Sequence, residues 1–217
     1  MATYDTSDPA ALLAGMRTAR QAIGRGELVV IPTDTVYGVG ADAFSPVAVQ
    51  RLLDAKGRDR TAPPPVLIPG IPTLDALAEV VPDEVRALVS EFWPGGLTVI
   101  LRARRTLDWD LGETRGTVAL RMPSHPIALE LLAETGPLAV SSANATGQPP
   151  AETAAEAEAM LGDSVAVYLE AGAGGSIPST IVDATGLESP AGKLRILRAG
   201  AVADEDIVRI VGAERCA

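Results

Sequence analysis

An apolar run, Leu28-Val29-Val30-Ile31, stops abruptly against Pro32-Thr33-Asp34-Thr35-Val36-Tyr37-Gly38-Val39-Gly40. A strand this apolar packs inside a sheet. Pro32 lacks the N–H that would carry the ladder further. Two hydroxyls, a carboxylate and a tyrosine follow it within five residues. Polar side chains gathered at the end of a buried strand are where open α/β sheets hold ligands. The same residues also suit a Thr/Asp-capped turn. On that reading Gly38 and Gly40 take backbone angles that other residues avoid.

The rest of the chain alternates in a similar way. Residues 9–25 place Leu12, Leu13, Met16, Ala19 and Ile23 near one helical face. Ser45-Pro46 reads as an N-cap and first helical residue, opening a helix that reaches residue 55. Further helices are predicted over 73–80, 83–92, 126–134, 151–161 and 203–211. Strands are predicted over 65–68, 97–102, 117–121, 137–141, 165–169, 180–183 and 194–197. Helices and strands alternate at first, and strands dominate later. That order predicts an α/β (mixed α+β) fold, a twisted mixed sheet flanked by helices. The length fits a single domain over residues 1–217. The glycine-rich tract 171–175 reads as a flexible surface loop.

Composition excludes several chemistries. Cys216 is the only cysteine and His125 the only histidine. An internal disulfide, a cysteine zinc site and a two-histidine metal site are therefore impossible, and a Ser-His-Asp triad would have to use His125. His125 reads instead as a first-turn helix residue before Pro126. The net charge of −10 repels a phosphate backbone unless cations are concentrated in one patch. No basic-then-apolar leader and no membrane-length apolar run is present, so a cytoplasmic location with no membrane contact is expected.

Cations and hydroxyls do concentrate at predicted element ends. Lys56-Gly57-Arg58-Asp59-Arg60 follows a helix, where its cations complement the helix dipole or bind an anion. Thr117 opens a strand that ends in Arg121, whose planar guanidinium suits bidentate capture of a carboxylate or a surface salt bridge. Ser141-Ser142-Ala143-Asn144 follows the 137–141 strand, as a hydrogen-bonded turn or a place for phosphates and ribose to approach. Pro178-Ser179-Thr180 and Arg198-Ala199-Gly200 flank two later strands. Trp93-Pro94-Gly95-Gly96 reads as a packed turn. There is no G-x-x-x-x-G-K-[ST] loop and no G-x-G-x-x-G after a strand, so any nucleotide binds by another design.

In this order the clusters resemble the YrdC-type threonylcarbamoyl-AMP synthases: PTDTVYG at 32–38, K-x-R at 56–58, WPG-x-LT at 93–98, R-x-P at 121–123, SAN-x-[ST]-G at 142–147, PST at 178–180 and R-x-G at 198–200. The length matches the short form, a single YrdC-like domain without the extra C-terminal domain. The resemblance implies a YrdC-like fold with a large concave electropositive site. It implies an enzyme, a nucleotidyltransferase that joins L-threonine, bicarbonate and ATP into threonylcarbamoyl-AMP and pyrophosphate. A partner transferase then uses the product for N6-threonylcarbamoyladenosine in tRNA, and tRNA meets this chain only weakly or indirectly. By the same resemblance Thr33, Thr35, Arg121, Ser141 and Ser179 would hold threonine. Lys56, Arg58, Thr117, Ser142, Asn144 and Arg198 would hold ATP, with Lys56, Arg58 and Arg121 the catalytic cations. Mg2+ would arrive with the triphosphate rather than in a metal site of the chain. Asp34 is the nearest carboxylate in the motifs, and residues 59–65 would form a mobile lid. The alternative is a YrdC-like paralogue that binds RNA or nucleotide without this activity.

Overall fold

The first helix, α1 (Pro9–Gly24), forms where the apolar period predicts it. Asp8 caps it by accepting from the backbone N–H groups of Ala10 and Ala11, and Pro9 takes the first helical position. Met16, Ala19, Ala22 and Ile23 are buried on one side. A side chain the size of Met or Ile contributes roughly 1.5–3 kcal/mol when so buried. The computed structural model describes residues 1–217. Strand β1 (Ala2–Asp5) precedes α1, and β2 (Val29–Ile31) and β3 (Gly38–Asp42) follow it. Then come α2 (Pro46–Lys56), β4 (Val66–Leu67), α3 (Ile71–Leu77), α4 (Asp83–Phe92), β5 (Leu97–Arg102) and β6 (Thr117–Arg121). The rest is α5 (Pro126–Thr135), β7 (Leu138–Ser142), α6 (Ala154–Leu161), β8 (Val167–Glu170), β9 (Thr180–Asp183), β10 (Arg195–Arg198) and α7 (Asp204–Val211).

All ten strands join one mixed sheet in the order β1-β8-β2-β3-β7-β4-β6-β5-β9-β10. Side chains alternate across it. On one face Val30, Val39, Val66, Val99, Leu120 and Val182 pack with α2, α3, α4, α6 and α7 in a core of 39 buried residues. On the other face Val29, Ile31, Leu67, Leu138, Val140 and Val167 pack against only α1 and α5, in a core of 14. The imbalance leaves the β6-β5-β9 part of this second face without a helical cover, with Leu67 of β4 at its boundary. No helix is long and apolar enough to cross a membrane.

The expected mixed sheet and flanking helices are present, with five local corrections. The segment after Pro32 is not merely a turn: it re-enters the sheet as β3, pairing antiparallel with both β2 and β7. Gly38 and Gly40 serve close packing there rather than unusual angles, since a Cβ on Gly38 would lie 2.6 Å from Val140 Cγ1. Strand β1 was not expected. It lies at the sheet edge, pairs only with β8, and alternates half-buried and exposed residues. Helix α3 ends at Leu77, before the expected 80, because Ala78 turns extended and bridges Ala103. His125 is the N-cap of α5, one position before the first turn.

Candidate active site

The uncovered part of the sheet forms the floor of a cavity of about 340 Å³. Register builds that floor. Leu67 pairs with Arg121, Thr98 with Ile181, and Ile181 with Arg198, so neighbouring strands present these side chains to one side. The walls are loops at the ends of strands. Thr33, Thr35 and Tyr37 come from the β2–β3 loop, Ser141 and Ser142 from the end of β7, and Pro178 and Ser179 from the entry to β9. Arg58, Pro63 and Pro65 close the cavity from the segment after α2.

Arg121 is the most constrained group. Its side chain is 7% exposed. Nε donates to Gly95 O at 2.9 Å and Nη1 to Thr35 Oγ1 at 2.8 Å. Nη2 lies 2.8 Å from Asp34 Oδ1, in ion-pair rather than hydrogen-bond alignment. Asp34 Oδ1 also accepts from the Ser124 N–H at 2.9 Å. Burial lowers the Arg121 pKa and Asp34 opposes that shift. Thr33 fixes the orientation of Thr35. It donates its only hydroxyl proton to Val36 O at 2.6 Å, so in the 3.1 Å contact between the two hydroxyls Thr35 is the donor. Thr35 Oγ1 therefore accepts a hydrogen bond from Arg121 and donates one to Thr33.

A second network lies opposite. Ser179 Oγ is 2.8 Å from Thr98 Oγ1 and accepts from Arg198 Nη2 at 3.0 Å. Arg198 also forks onto Ser179 O through Nε at 3.0 Å and Nη2 at 2.7 Å. Arg58 Nη1 donates to Ser141 Oγ at 3.2 Å. Burial, then Arg121, then Arg58 lower the Arg198 pKa. Three guanidiniums thus repel one another across one cavity whose lining includes no carboxylate. In a chain of net charge −10, that is a deliberate anion site.

The cavity brings together Thr33, Thr35, Arg58, Arg121, Ser141, Ser142, Ser179 and Arg198 among the residues singled out from sequence. It does not bring Lys56, Thr117 or Asn144 to its lining. Lys56 is 2% exposed, beneath the loop that follows β7. Its ammonium donates to Ser142 O at 2.5 Å, to Asn144 Oδ1 at 2.8 Å and to Asn144 O. Burial and nearby Arg58 push its pKa down to about 8. Asn144 spends its amide on Ala145 O and Gln148 O. Thr117 lines an adjacent apolar cavity of about 100 Å³ with Ile100, Leu111 and Ala119, and Pro63 borders both spaces. Residues 59–65 are tied down by Arg60, which pairs with Asp110 at 2.6 Å and accepts from Glu113 N at 2.7 Å. No group of three His, Cys, Asp or Glu side chains is placed to share a metal ion.

Sequence reading missed Leu67, Val140 and Ile181, which supply the floor, and gave Thr98 no role within its motif. Strand alternation was the available signal: each is the uncovered-face partner of a residue assigned to the core. Tyr37 lay in a motif without a role, yet it lines the cavity, with its hydroxyl directed away to Gly172 O. Trp93 anchors its turn as expected, donating Nε1 to Leu97 O at 2.7 Å.

Comparison with known proteins points to one family. The model of the Sua5/YciO/YrdC family, described as "telomere recombination", matches residues 21–200. A Mycobacterium tuberculosis protein provisionally named threonylcarbamoyl-AMP synthase is 49% identical over 213 residues, 98% of this chain and 96% of the relative. A Pyrococcus abyssi threonylcarbamoyl-AMP synthase is 35% identical over 199 residues, 91% of this chain but only 57% of the relative's own length. The crystal structure of P. abyssi Sua5 complexed with L-threonine superposes with a TM-score of 0.84 at 34% identity, covering 93% of this chain and 58% of that one.

Proposed function

Because this chain belongs to the Sua5/YciO/YrdC family, we infer that its cavity joins L-threonine, bicarbonate and ATP into threonylcarbamoyl-AMP, with release of pyrophosphate. One observation carries the reading: three guanidiniums and a set of small hydroxyls converge on one cavity that contains no acidic residue. Both partners of the reaction are anions, a carboxylate and a polyphosphate, and both need charge neutralisation to approach each other.

The amine of threonine attacks the carbon of CO2, or of bicarbonate with loss of water, and sheds a proton to give a carbamate. A carbamate oxygen attacks the α-phosphorus in line, and the bond to the bridging oxygen of the departing pyrophosphate breaks. Positioning and electrostatic stabilisation supply this catalysis, so no nucleophilic side chain is required. Arg121, held between Asp34 and Thr35, takes the threonine carboxylate, with Thr33, Thr35, Ser141 and Ser179 around it. Arg58 and Arg198 face the phosphates with Ser142, while Thr117 places its neighbouring apolar cavity for the base. Lys56 and Asn144 act from beneath, by shaping the loop that carries Ser142. Mg2+ accompanies the triphosphate as part of the substrate and keeps much of its water. The product passes to a cytoplasmic tRNA threonylcarbamoyl transferase for the N6-threonylcarbamoyladenosine modification. The threonine complex of P. abyssi Sua5 supports the threonine half of this reading.

The direct test is pyrophosphate release from ATP and bicarbonate, with and without L-threonine, with the adenylate identified by mass. Threonine-dependent release with a product of threonylcarbamoyl-AMP mass is expected. Release that ignores threonine would overturn the reading. Arg58→Lys is expected to lower kcat/KM for ATP by about 10–100-fold at unchanged melting temperature. A point ammonium cannot reproduce a planar fork that spans two phosphate oxygens. Steady-state kinetics check this, and wild-type values would remove Arg58 from ATP binding.

A further inference from the structure

Glu170 belongs to none of the motifs and does not line the cavity, yet it ties Tyr37, which does, to the 171–175 loop and to the start of α6. It ends β8. Its Oε1 accepts from Gly172 N at 2.6 Å and lies 3.1 Å from the Tyr37 hydroxyl. Its Oε2 accepts from Ala154 N at 2.9 Å, at the start of α6. Tyr37 Oη in turn accepts from Ala171 N at 2.9 Å and reaches Gly172 O at 2.8 Å. The glycine tract is therefore not a free surface loop. Gly174 N donates to Glu152 O at 2.7 Å, and a Cβ on Gly175 would collide with Thr35 O.

We propose that the Glu170–Tyr37 pair is a positioning device that locks the 171–175 loop against the Thr35 wall and so sets the distance between Thr35 and Ser179 across the cavity. It rests on the threonine-binding role given to those two residues above. The chemistry of the knot demands two acceptor oxygens on one side chain. Gly172 N and Ala154 N both point donors at it, one at each oxygen. An amide can satisfy only one of them and opposes the other with a second donor. The Tyr37 hydroxyl is equally specific, because it is acceptor to Ala171 and donor to one of two oxygens at once. Tyr37 O accepts from Ala143 N at 2.8 Å, next to Ser142, and that backbone bond survives loss of the hydroxyl. The knotted side-chain atoms reach the Thr35 wall through the 171–175 loop and bond to neither Arg58 nor Ser142, so their loss falls on threonine rather than on ATP. Neither group contacts substrate directly through the knotted atoms, so they position and do not catalyse.

Tyr37→Phe and Glu170→Gln test this, each nearly isosteric with the native residue. Two readouts are taken on each: KM for threonine against KM for ATP, and amide hydrogen exchange of residues 171–176. The expected result is a rise of about tenfold in KM for threonine, with KM for ATP within twofold. The amide protection of 171–176 falls at least tenfold, while that of the core strands is unchanged. Unchanged exchange in Tyr37→Phe would overturn the proposal, and so would an equal rise in both KM values. If Glu170→Gln does not fold, Tyr37→Phe decides alone, since it removes a single hydroxyl. If the wild type shows no threonine-dependent release, the proposed reaction fails separately. The positioning role then fails with it, whereas loosened exchange would leave only the loop lock standing.

Discussion

Lys56→Met should remove nearly all pyrophosphate release, by about a thousandfold or more, although Lys56 never touches the cavity. Its ammonium supports three oxygens of the Ser142–Asn144 loop from below, and Met fills the same channel with no donor. A hydrogen bond to a charged group contributes roughly 1.5–3 kcal/mol, and an orphaned buried carbonyl costs about 1–3 kcal/mol. Relief of the desolvated charge offsets part of that loss. A net destabilisation of about 2–4 kcal/mol follows, which for a domain of this size is a fall of roughly 5–15 °C in Tm. Calorimetry and the pyrophosphate assay at a temperature well below the variant's Tm check both halves. A variant with wild-type activity would remove the loop from the catalytic machinery.

The pH dependence of the same residue separates its two effects. Burial lowers the folded pKa of Lys56 to about 8, from the 10.5 of a free lysine. Between those values the unfolded chain holds the proton and the folded one does not, so the contribution of this group to stability rises with pH. Activity moves the other way, because the neutral amine has lost one of three donors for its three acceptors. The stability gap between wild type and Lys56→Met is therefore expected to widen above pH 8 while wild-type turnover declines. A turnover profile flat from pH 7.5 to 9.5 would contradict that role.

Lys56 also shows where sequence reading reaches its end. Its residue type and spacing pointed to a phosphate ligand, and nothing local announced that α2 would carry it beneath the β7 loop. That placement depends on β3 pairing with β7, which lie about a hundred residues apart in the chain and meet only in the folded sheet. Strand β3 itself was illegible for a related reason. Gly38 and Gly40 are poor strand formers, and they are tolerated because Val140 needs the space that a side chain would occupy. By contrast α1, α2 and α5 were legible because each has a proline at the first position and an apolar period, and Asp8 and Ser45 add a cap to the first two. The hydroxyls and guanidiniums of the cavity were legible because they sit at strand ends or, for Arg58, just past a helix end. Its floor was not, because Leu67, Val140 and Ile181 look like any core residue until the missing helix on that face is known.

Arg121→Ala is expected to abolish threonine-dependent turnover and to destabilise the protein as well, and the two losses can be separated. Removing one partner of a buried ion pair costs about 3–5 kcal/mol, because the other charge is left without compensation. Here the stranded group is Asp34, whose side chain is 17% exposed, so water recovers part of that and the lower end is expected. Asp34 has one remaining partner, the Ser124 N–H. Adding Asp34→Ala removes the stranded charge, so the double variant should regain much of the stability that Arg121→Ala loses. Turnover should not return, because the threonine carboxylate still meets no guanidinium. Two charged hydrogen bonds of roughly 1.5–3 kcal/mol each amount to a loss of about a thousandfold in kcat/KM. Thermal melts with steady-state kinetics on the two single variants and the double one complete the cycle. Recovery of turnover together with stability would mean that Arg121 serves only to neutralise Asp34. Recovery of stability alone would leave carboxylate capture as the function of the guanidinium.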